Sequence, residues 1–330
     1  MTGLVIALLK WLVGIAIALW AGMLVLDWIG PTEPVSLVPR FDPASLGEDL
    51  DAWLAAREAA VPGLRANAAK EIVWAGAPGQ RTDWAIVYLH GFSASKGELR
   101  PVPDRVAAAL GANLYFTRLT GHGRDGAAMA EATVADWVDD LAEAVEIGQR
   151  LGDRVVLIGT STGGALATLA AARPELNGAL AGVVLLSPNF RAAGWGGRLI
   201  EWPWFRRWGP VLFGADRGWE PLNAAQAETW TRLYPLVSVA PLGALTRAVR
   251  GLDLSRMTVP ALFLVSTSDK TIDARLARVA AADWAGPSEL VPVVLGPGDD
   301  PNGHVLAGDI MSPSRTDPVV ERIVAWIRGL

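Results

Sequence analysis

The sequence predicts an α/β fold: a mostly parallel sheet covered by helices on both faces, with an inserted helical cap and an N-terminal transmembrane helix. Three observations carry this expectation. Short, apolar, β-prone runs alternate with helical segments from about residue 83 onward, the pattern of strands buried on both faces. The alternation lapses between Pro188 and Thr258, a span of roughly seventy residues that far exceeds an ordinary strand–helix connection. Finally, Leu4 to Leu26 is almost wholly apolar, with Lys10 its only charge.

The N-terminal run comes first. Trp11 to Ile29 is about 19 residues, or roughly 28 Å of helix, close to the hydrocarbon thickness of a bilayer. Trp11, Trp20 and Trp28 suit an interface, and Lys10 can snorkel to one. The competing reading is a cleaved signal peptide, but the small-x-small pair Ala16 and Ala18 lies inside the apolar run instead of after it. A retained single-pass anchor over 1–29 is therefore expected. Positive charge (the α-amine and Lys10) precedes the span, and Asp27 and Glu33 follow it, which places the remaining chain on the extracytoplasmic side, the periplasm in a bacterium.

Residues 30–70 read as a linker, opened by Gly30-Pro31, and an N-terminal helix from Ser45 to about Ala60. A first core segment, 71–187, follows. It comprises an edge strand at Glu71–Trp74, a buried strand at Asp83–Leu89, a helix near 101–110 and a strand at Ala112–Arg118. Thr133 to Leu151 is an amphipathic helix with Val134, Trp137, Val138, Leu141, Val145 and Ile147 inward and Asp139, Asp140 and Glu143 outward. Residues 188–258 form the expected cap, rich in tryptophan and arginine, and 259–330 resume the core. This second part holds strands at Ala261–Ser266 and Glu289–Leu295, a helix at Ala274–Ala282 and a last helix from Pro318.

Composition narrows the function. The chain has 330 residues, a net charge of −5 and no basic run, so nothing points to a nucleic-acid partner. Cysteine is absent, which excludes disulfides, thiolate metal sites and a cysteine nucleophile. Clustered His/Asp/Glu ligand spacing is also missing, so no metal or organic cofactor is expected.

The chemistry centres on Val155-Val156-Leu157-Ile158-Gly159-Thr160-Ser161-Thr162-Gly163-Gly164. An apolar strand runs into Gly-x-Ser-x-Gly and a helix former follows, which is the context of a nucleophile elbow. Serine is a weak nucleophile at its own pKa and has to project into a cleft within reach of a base. The same turn aims the Thr162 N–H, in the first turn of the new helix, at a developing oxyanion. A second donor is the Phe92 N–H in His90-Gly91-Phe92, at the carboxyl end of the Asp83–Leu89 strand. The chain has three histidines, His90, His122 and His304, and only His304 lies after Ser161, as the order serine, acid, histidine requires. Between them, Asp269 follows a strand by a short turn and fits the acid. Asp273 suits the next helix's first turn, and Asp299 and Asp300 read as solvated loop residues.

With these residues in place, the chain resembles the α/β-hydrolase superfamily. The likeness is to its cap-bearing group of monoacylglycerol lipases, lysophospholipases, carboxylesterases and serine aminopeptidase-like hydrolases. It rests on His90-Gly91-Phe92, Thr120-Gly121-His122-Gly123, Gly159 to Gly164, Ser268-Asp269 with Thr271-Ile272-Asp273, and Gly303-His304, in that order. The resemblance implies Ser161 as nucleophile, Asp269 as acid, His304 as base, Phe92 and Thr162 as oxyanion donors, and structural roles for His90 and His122. The threonines flanking Ser161 and the Trp/Arg-rich cap depart from the group's usual pattern and leave the substrate class open. The expected function is a serine hydrolase of carboxylic esters (acylglycerol, lysophospholipid or short-chain ester) acting through an acyl-enzyme. An amide or peptide hydrolase is the alternative, and a non-catalytic membrane-tethered binding module a third reading. The oligomeric state is not legible.

Overall fold

The computed structural model describes residues 2–330. Met1 with its α-amine, and the side chains of Thr2, Leu26, Asp27 and Trp28, lie outside the described residues. With them go the expected charge flank at Asp27 and interfacial anchor at Trp28.

A single helix, α1 (Thr2–Ile29), opens the chain, and its Gly3–Val25 stretch is a candidate membrane span of 23 residues whose central window is wholly unburied. An extended linker leads to α2 (Leu50–Ala59), which Asp49 caps through Ala52 N. The core then alternates β1 (Glu71–Val73), β2 (Thr82–Leu89), α3 (Val102–Leu110), β3 (Asn113–Phe116), α4 (Val134–Leu151), β4 (Gly152–Thr160), α5 (Thr162–Ala172), the short α6 (Pro174–Asn177) and β5 (Leu180–Leu186). The region between β5 and the next core strand holds α7 (Gly196–Leu199), α8 (Phe205–Phe213), a two-stranded ribbon of β6 (Asp216–Gly218) and β7 (Leu233–Pro235) joined through α9 (Ala224–Thr229), and α10 (Val239–Arg250). The chain ends with β8 (Ala261–Val265), α11 (Ala274–Asp283), β9 (Ser288–Pro292) and α12 (Thr316–Ile327).

Seven strands form one sheet in the order β1-β3-β2-β4-β5-β8-β9, parallel except for the edge strand β1, which runs antiparallel to β3. Alternation of side chains along each strand sorts the two faces. Ile86, Tyr88, Leu114, Val156, Ile158, Val184 and Leu264 face α3 and α12. Val87, Leu89, Val155, Leu157, Val183, Leu185 and Phe263 face α4, α5, α10 and α11. The segment 188–258 divides by its packing. Leu242, Leu245 and Val249 of α10 join the core layer, whereas Phe205, Tyr234 and Leu236 form a separate apolar cluster with Met129, against which Phe92 packs.

The outward placement of Asp140 and Glu143 on α4 is corrected. Glu143 is buried, paired with Lys70 and accepting from Tyr115 Oη at 3.0 Å, and Asp140 accepts from Thr120 N at 2.6 Å. Helical spacing put these acids on the polar face, but partners from distant segments close over that face and satisfy them.

The start of α5 crosses β2 and β4 at very short range. A Cβ on Gly163 would lie 1.9 Å from Leu89 O, and one on Gly159 would lie 2.4 Å from Gly163 O. Both neighbours are backbone and cannot yield. Gly163→Ala is therefore expected to destabilise the fold by about 3 kcal/mol or more, above the usual overpacking range. Urea denaturation followed by tryptophan fluorescence checks this, and a midpoint near that of the wild type refutes the tight crossing.

Candidate active site

Ser161 terminates β4 and caps α5 with φ 53° and ψ −110°, a conformation non-glycine residues seldom adopt. The turn is over-determined: Ser161 N donates to Leu186 O at 3.0 Å, and Ser161 O accepts from Ala165 N at 3.1 Å and Asn189 N at 2.9 Å. The residue is buried to 5% exposure, in the crevice at the carboxyl ends of the parallel strands.

His304 follows Gly303, which is held at φ 70° against Ser268 O, a site a Cβ would approach to 2.8 Å. The ring's Nδ1 lies 2.8 Å from Asp269 Oδ2, and the Asp269 side chain is fully buried. The other Asp269 oxygen accepts from Thr271 N at 2.8 Å and Ile272 N at 3.0 Å, so the loop after β8 locks the carboxylate in place. Burial lowers the proton affinity of His304, but the charge and hydrogen bond of Asp269, with the charges of Glu98 and Asp300, outweigh it and hold the imidazole above its ordinary value.

Asp299 and Asp300 are not solvated loop acids, and this expectation too is corrected. Both are buried. Asp300 Oδ2 accepts from His304 N and Val305 N, each at 2.9 Å, and Asp299 accepts from Gly296 N and Ser314 Oγ. Their backbone partners come from the same loop and from the turn before α12, which a Gly/Asp/Pro-rich string does not announce. Asp273 is the N-cap of α11, accepting from Arg275 N, one position before the first turn.

The side of the crevice that holds Phe92 is built around one peptide. Gly91 O is bonded by His90 Nδ1 at 2.8 Å and by Ala94 N at 3.2 Å. Because a trans peptide points its C=O and N–H oppositely, pinning this carbonyl aims the Phe92 N–H the other way. Neither the Phe92 nor the Thr162 N–H has a hydrogen-bond partner among the described residues. His90 Nε2 accepts from Leu119 N at 3.1 Å, so the ring is a neutral Nδ1–H tautomer, and burial pushes its pKa down to about 4. His122, beside it at 5.0 Å between ring centroids, is pushed well below its ordinary value by burial and by His90. His122, Trp137 and Tyr234 of β7 surround the Phe92 ring at centroid distances of 5.6, 6.2 and 5.5 Å.

One residue of this neighbourhood has no signature in the sequence. Glu98, 2% exposed, accepts from Gly91 N at 2.7 Å and Tyr88 Oη at 2.9 Å. A Cβ on Gly91 would meet Glu98 Oε1 at 2.7 Å and Ser161 Cβ at 3.3 Å, so glycine there lets carboxylate and serine crowd the same α-carbon. Burial pushes the Glu98 carboxyl up to about 7, against the Gly91 and Tyr88 hydrogen bonds and the charge of His304.

With fold and site described, comparison places the chain in a family. Residues 86–315 match the alpha/beta hydrolase family, and the protein belongs to it. No curated protein matches the chain. Among solved structures, the chain is similar to one from a study of LipS and LipT, two metagenome-derived lipolytic enzymes (21% identity, TM-score 0.64, covering 81% of this chain and 100% of that one). It is also similar to a monoacylglycerol lipase of Paleococcus ferrophilus (14%, 0.55, 78% and 97%). A soluble variant of the Saccharomyces cerevisiae monoglyceride lipase, bound to a substrate analogue, is a further likeness (12%, 0.58, 79% and 90%). At these identities the likeness is one of fold.

The Asp269–His304 pair has a testable consequence for stability. A histidine whose pKa is raised on folding stabilises fully below its unfolded value of about 6.5, and that contribution is lost as pH rises through the folded value. Asp269→Asn removes the main cause of the elevation while losing its loop contacts at every pH. The variant should therefore be destabilised more at pH 5.5 than at pH 9.5, as measured by urea unfolding at the two pH values. An equal loss at both would show that the pair carries no net charge interaction.

Proposed function

We propose that the protein is a membrane-anchored serine hydrolase of carboxylic esters, with Ser161 as nucleophile, His304 as general base, Asp269 as its orienting acid, and the Phe92 and Thr162 N–H groups as oxyanion donors. The observation that carries this reading is the Asp269–His304 bond in a crevice where Ser161 stands on a strained turn beside two backbone donors that have no partner among the described residues. That the related solved structures include lipolytic enzymes and monoacylglycerol lipases supports esters as the substrate class.

In this mechanism Ser161 Oγ attacks the ester carbonyl as His304 Nε2 takes its proton, and the carbonyl electrons move onto the oxygen facing the two N–H donors. Collapse expels the alcohol, which receives the proton from His304, and leaves an acyl-Ser161 ester. Water, deprotonated by His304, then attacks this ester and releases the acid and free Ser161. Asp269 keeps the Nδ1–H tautomer in place and stabilises the imidazolium formed in each half-reaction. We further propose that α1 retains the protein in the bilayer with the hydrolase domain on the extracytoplasmic side, and that the segment ahead of α10 caps the site through the Phe92–Tyr234 contact.

The test is hydrolysis of chromogenic esters of increasing acyl length by the detergent-solubilised full-length protein. Ser161→Ala should lower kcat by about 10⁴-fold or more. The base must be neutral, so activity falls as acid protonates it, and the elevated His304 places the acid limb of kcat/KM above about pH 6.5. Ester turnover that persists in Ser161→Ala would overturn the assignment.

A further inference from the structure

The cap carries an apolar surface that the hydrolase site does not use. On α8, Val211, Leu212 and Phe213 are 82%, 67% and 47% exposed, and Trp195 of the neighbouring turn is 70% exposed, with its ring 5.9 Å from that of Phe213. The other side of α8 is seated, with Phe205 buried and Trp208 packed edge-on against it. Arg206 and Arg207 lie at the exposed start of the helix, and Arg198 is exposed nearby. Of these, Arg206 pairs with Glu33, whereas Arg198 and Arg207 have no carboxylate partner among the described residues.

The same helix is clamped to the chain leaving α1. Trp204 N donates to Pro31 O at 3.0 Å, Arg206 forks onto both Glu33 oxygens at 2.7 and 2.6 Å, and Arg247 Nη2 reaches Thr32 Oγ1 at 3.0 Å. One residue separates Ile29 from Pro31, so the start of α8 is held within roughly 10 Å of the end of α1. A nine-residue helix is about 13 Å long, which keeps its exposed apolar end within interfacial reach of any bilayer that α1 crosses.

We infer that the exposed face of α7–α8 is a membrane-docking surface, seated on the bilayer that α1 spans and clamped there by Glu33 and Arg206. Trp195, Val211, Leu212 and Phe213 enter the headgroup–acyl boundary, and Arg198 and Arg207 face anionic headgroups. The occupant is lipid, because the tether delivers this face to the membrane. The cap over the site therefore rests where lipid esters reside, which names the lipid surface as the source of substrate for the proposed hydrolase.

The chain has no cysteine, so single-site labelling is clean. Full-length Leu212→Cys, carrying an environment-sensitive fluorophore, is reconstituted in nanodiscs of mixed anionic and zwitterionic lipid. Val279→Cys, exposed on α11, serves as the aqueous control. Lipids bearing a nitroxide near the headgroup should quench the Leu212 label to about half or less and leave the Val279 label unchanged. Releasing the clamp with Glu33→Ala should restore much of the emission, and omitting anionic lipid should weaken the quenching. Equal, weak quenching at both positions overturns the proposal, as does a blue-shifted Leu212 label that lipid nitroxides do not quench, the signature of a second copy covering the face. The readout needs no substrate, so it stands or falls separately from the hydrolase reading.

A different observation supports a second inference, which rests on that reading. Glu98 fixes the N–H of the residue preceding the oxyanion peptide and lies against the same α-carbon as Ser161 Cβ. The cations on its own turn are engaged elsewhere, Lys96 with Glu71 and Arg100 with Glu71 and Asp104, and among the described residues no cation is bonded to its carboxylate. We propose that Glu98 is a positioning residue that holds the oxyanion turn by Gly91 N–H.

Glu98→Gln keeps a hydrogen-bond acceptor within reach of Gly91 N–H, whereas Glu98→Ala removes it. On a chromogenic ester, Glu98→Ala should lower kcat by about 10-fold or more with little change in KM, and Glu98→Gln should restore most of that loss. Backbone NMR of the full-length protein reads the same contact without turnover: the Gly91 amide proton should exchange faster with solvent in Glu98→Ala and stay protected in Glu98→Gln. Equal losses of kcat in the two variants, or a Gly91 amide unmoved in Glu98→Ala, refute the positioning role. If the amide responds as expected and no ester is turned over, the hydrolase reading fails while the Gly91 contact remains.

Discussion

The backbone at Ser161 is the constraint on which the rest of the site depends. A serine at φ 53° is strained by about 1–3 kcal/mol and persists only if its surroundings leave no alternative. Here the strand below, the helix above and the β5 loop beside it all bond the turn, and the glycines at 159 and 163 let the backbones close to distances that no side chain tolerates. The strain is thus paid for by packing on both faces of the sheet. The large apolar clusters flanking β4 do more than stabilise the fold: they keep one hydroxyl pointing into the crevice.

Around that turn the site is assembled mostly from backbone groups held by buried side chains. His90 never needs to ionise. As a neutral ring it ties Gly91 O to Leu119 N and so sets the direction of the Phe92 N–H. Asp269 and Asp300 each bind two backbone N–H groups, one arranging the loop after β8 and the other the loop that carries His304. The negative charges that organise the loops are also those that raise the proton affinity of His304, so shape and electrostatics here have a common origin.

The segment ahead of α10 joins this core to the chain leaving α1. Tyr234 meets Phe92 on its inner side, and Trp204 and Arg206 meet the linker at Pro31 and Glu33 on its outer side. Contacts of this kind make this segment a bridge between the Phe92 ring and the end of α1. The Trp/Arg richness visible in its composition is divided accordingly, with Trp230 buried, four tryptophans half-buried and Trp195 left exposed.

Strand periodicity, the strand–turn–helix setting of Ser161, the order of the three histidines and the long apolar N-terminal run are local or ordinal properties. The sequence alone therefore determined the sheet and its helices, the family and the candidate span, and it nominated the five residues proposed for the site. Burial of charge is not local. Asp140 and Glu143 occupy the polar face of a helix by spacing, and Asp299 and Asp300 lie in a Gly/Pro-rich loop, yet all four are satisfied by partners that only the folded chain brings near. Glu98 is the clearest case: a charged residue in a short turn, indistinguishable by pattern from a solvated one, which folding places against Gly91 because glycine there leaves room for it. The tertiary structure likewise decided that α10 belongs to the core layer and that the linker grips α8. Both depend on which surfaces meet, and a linear pattern does not encode that.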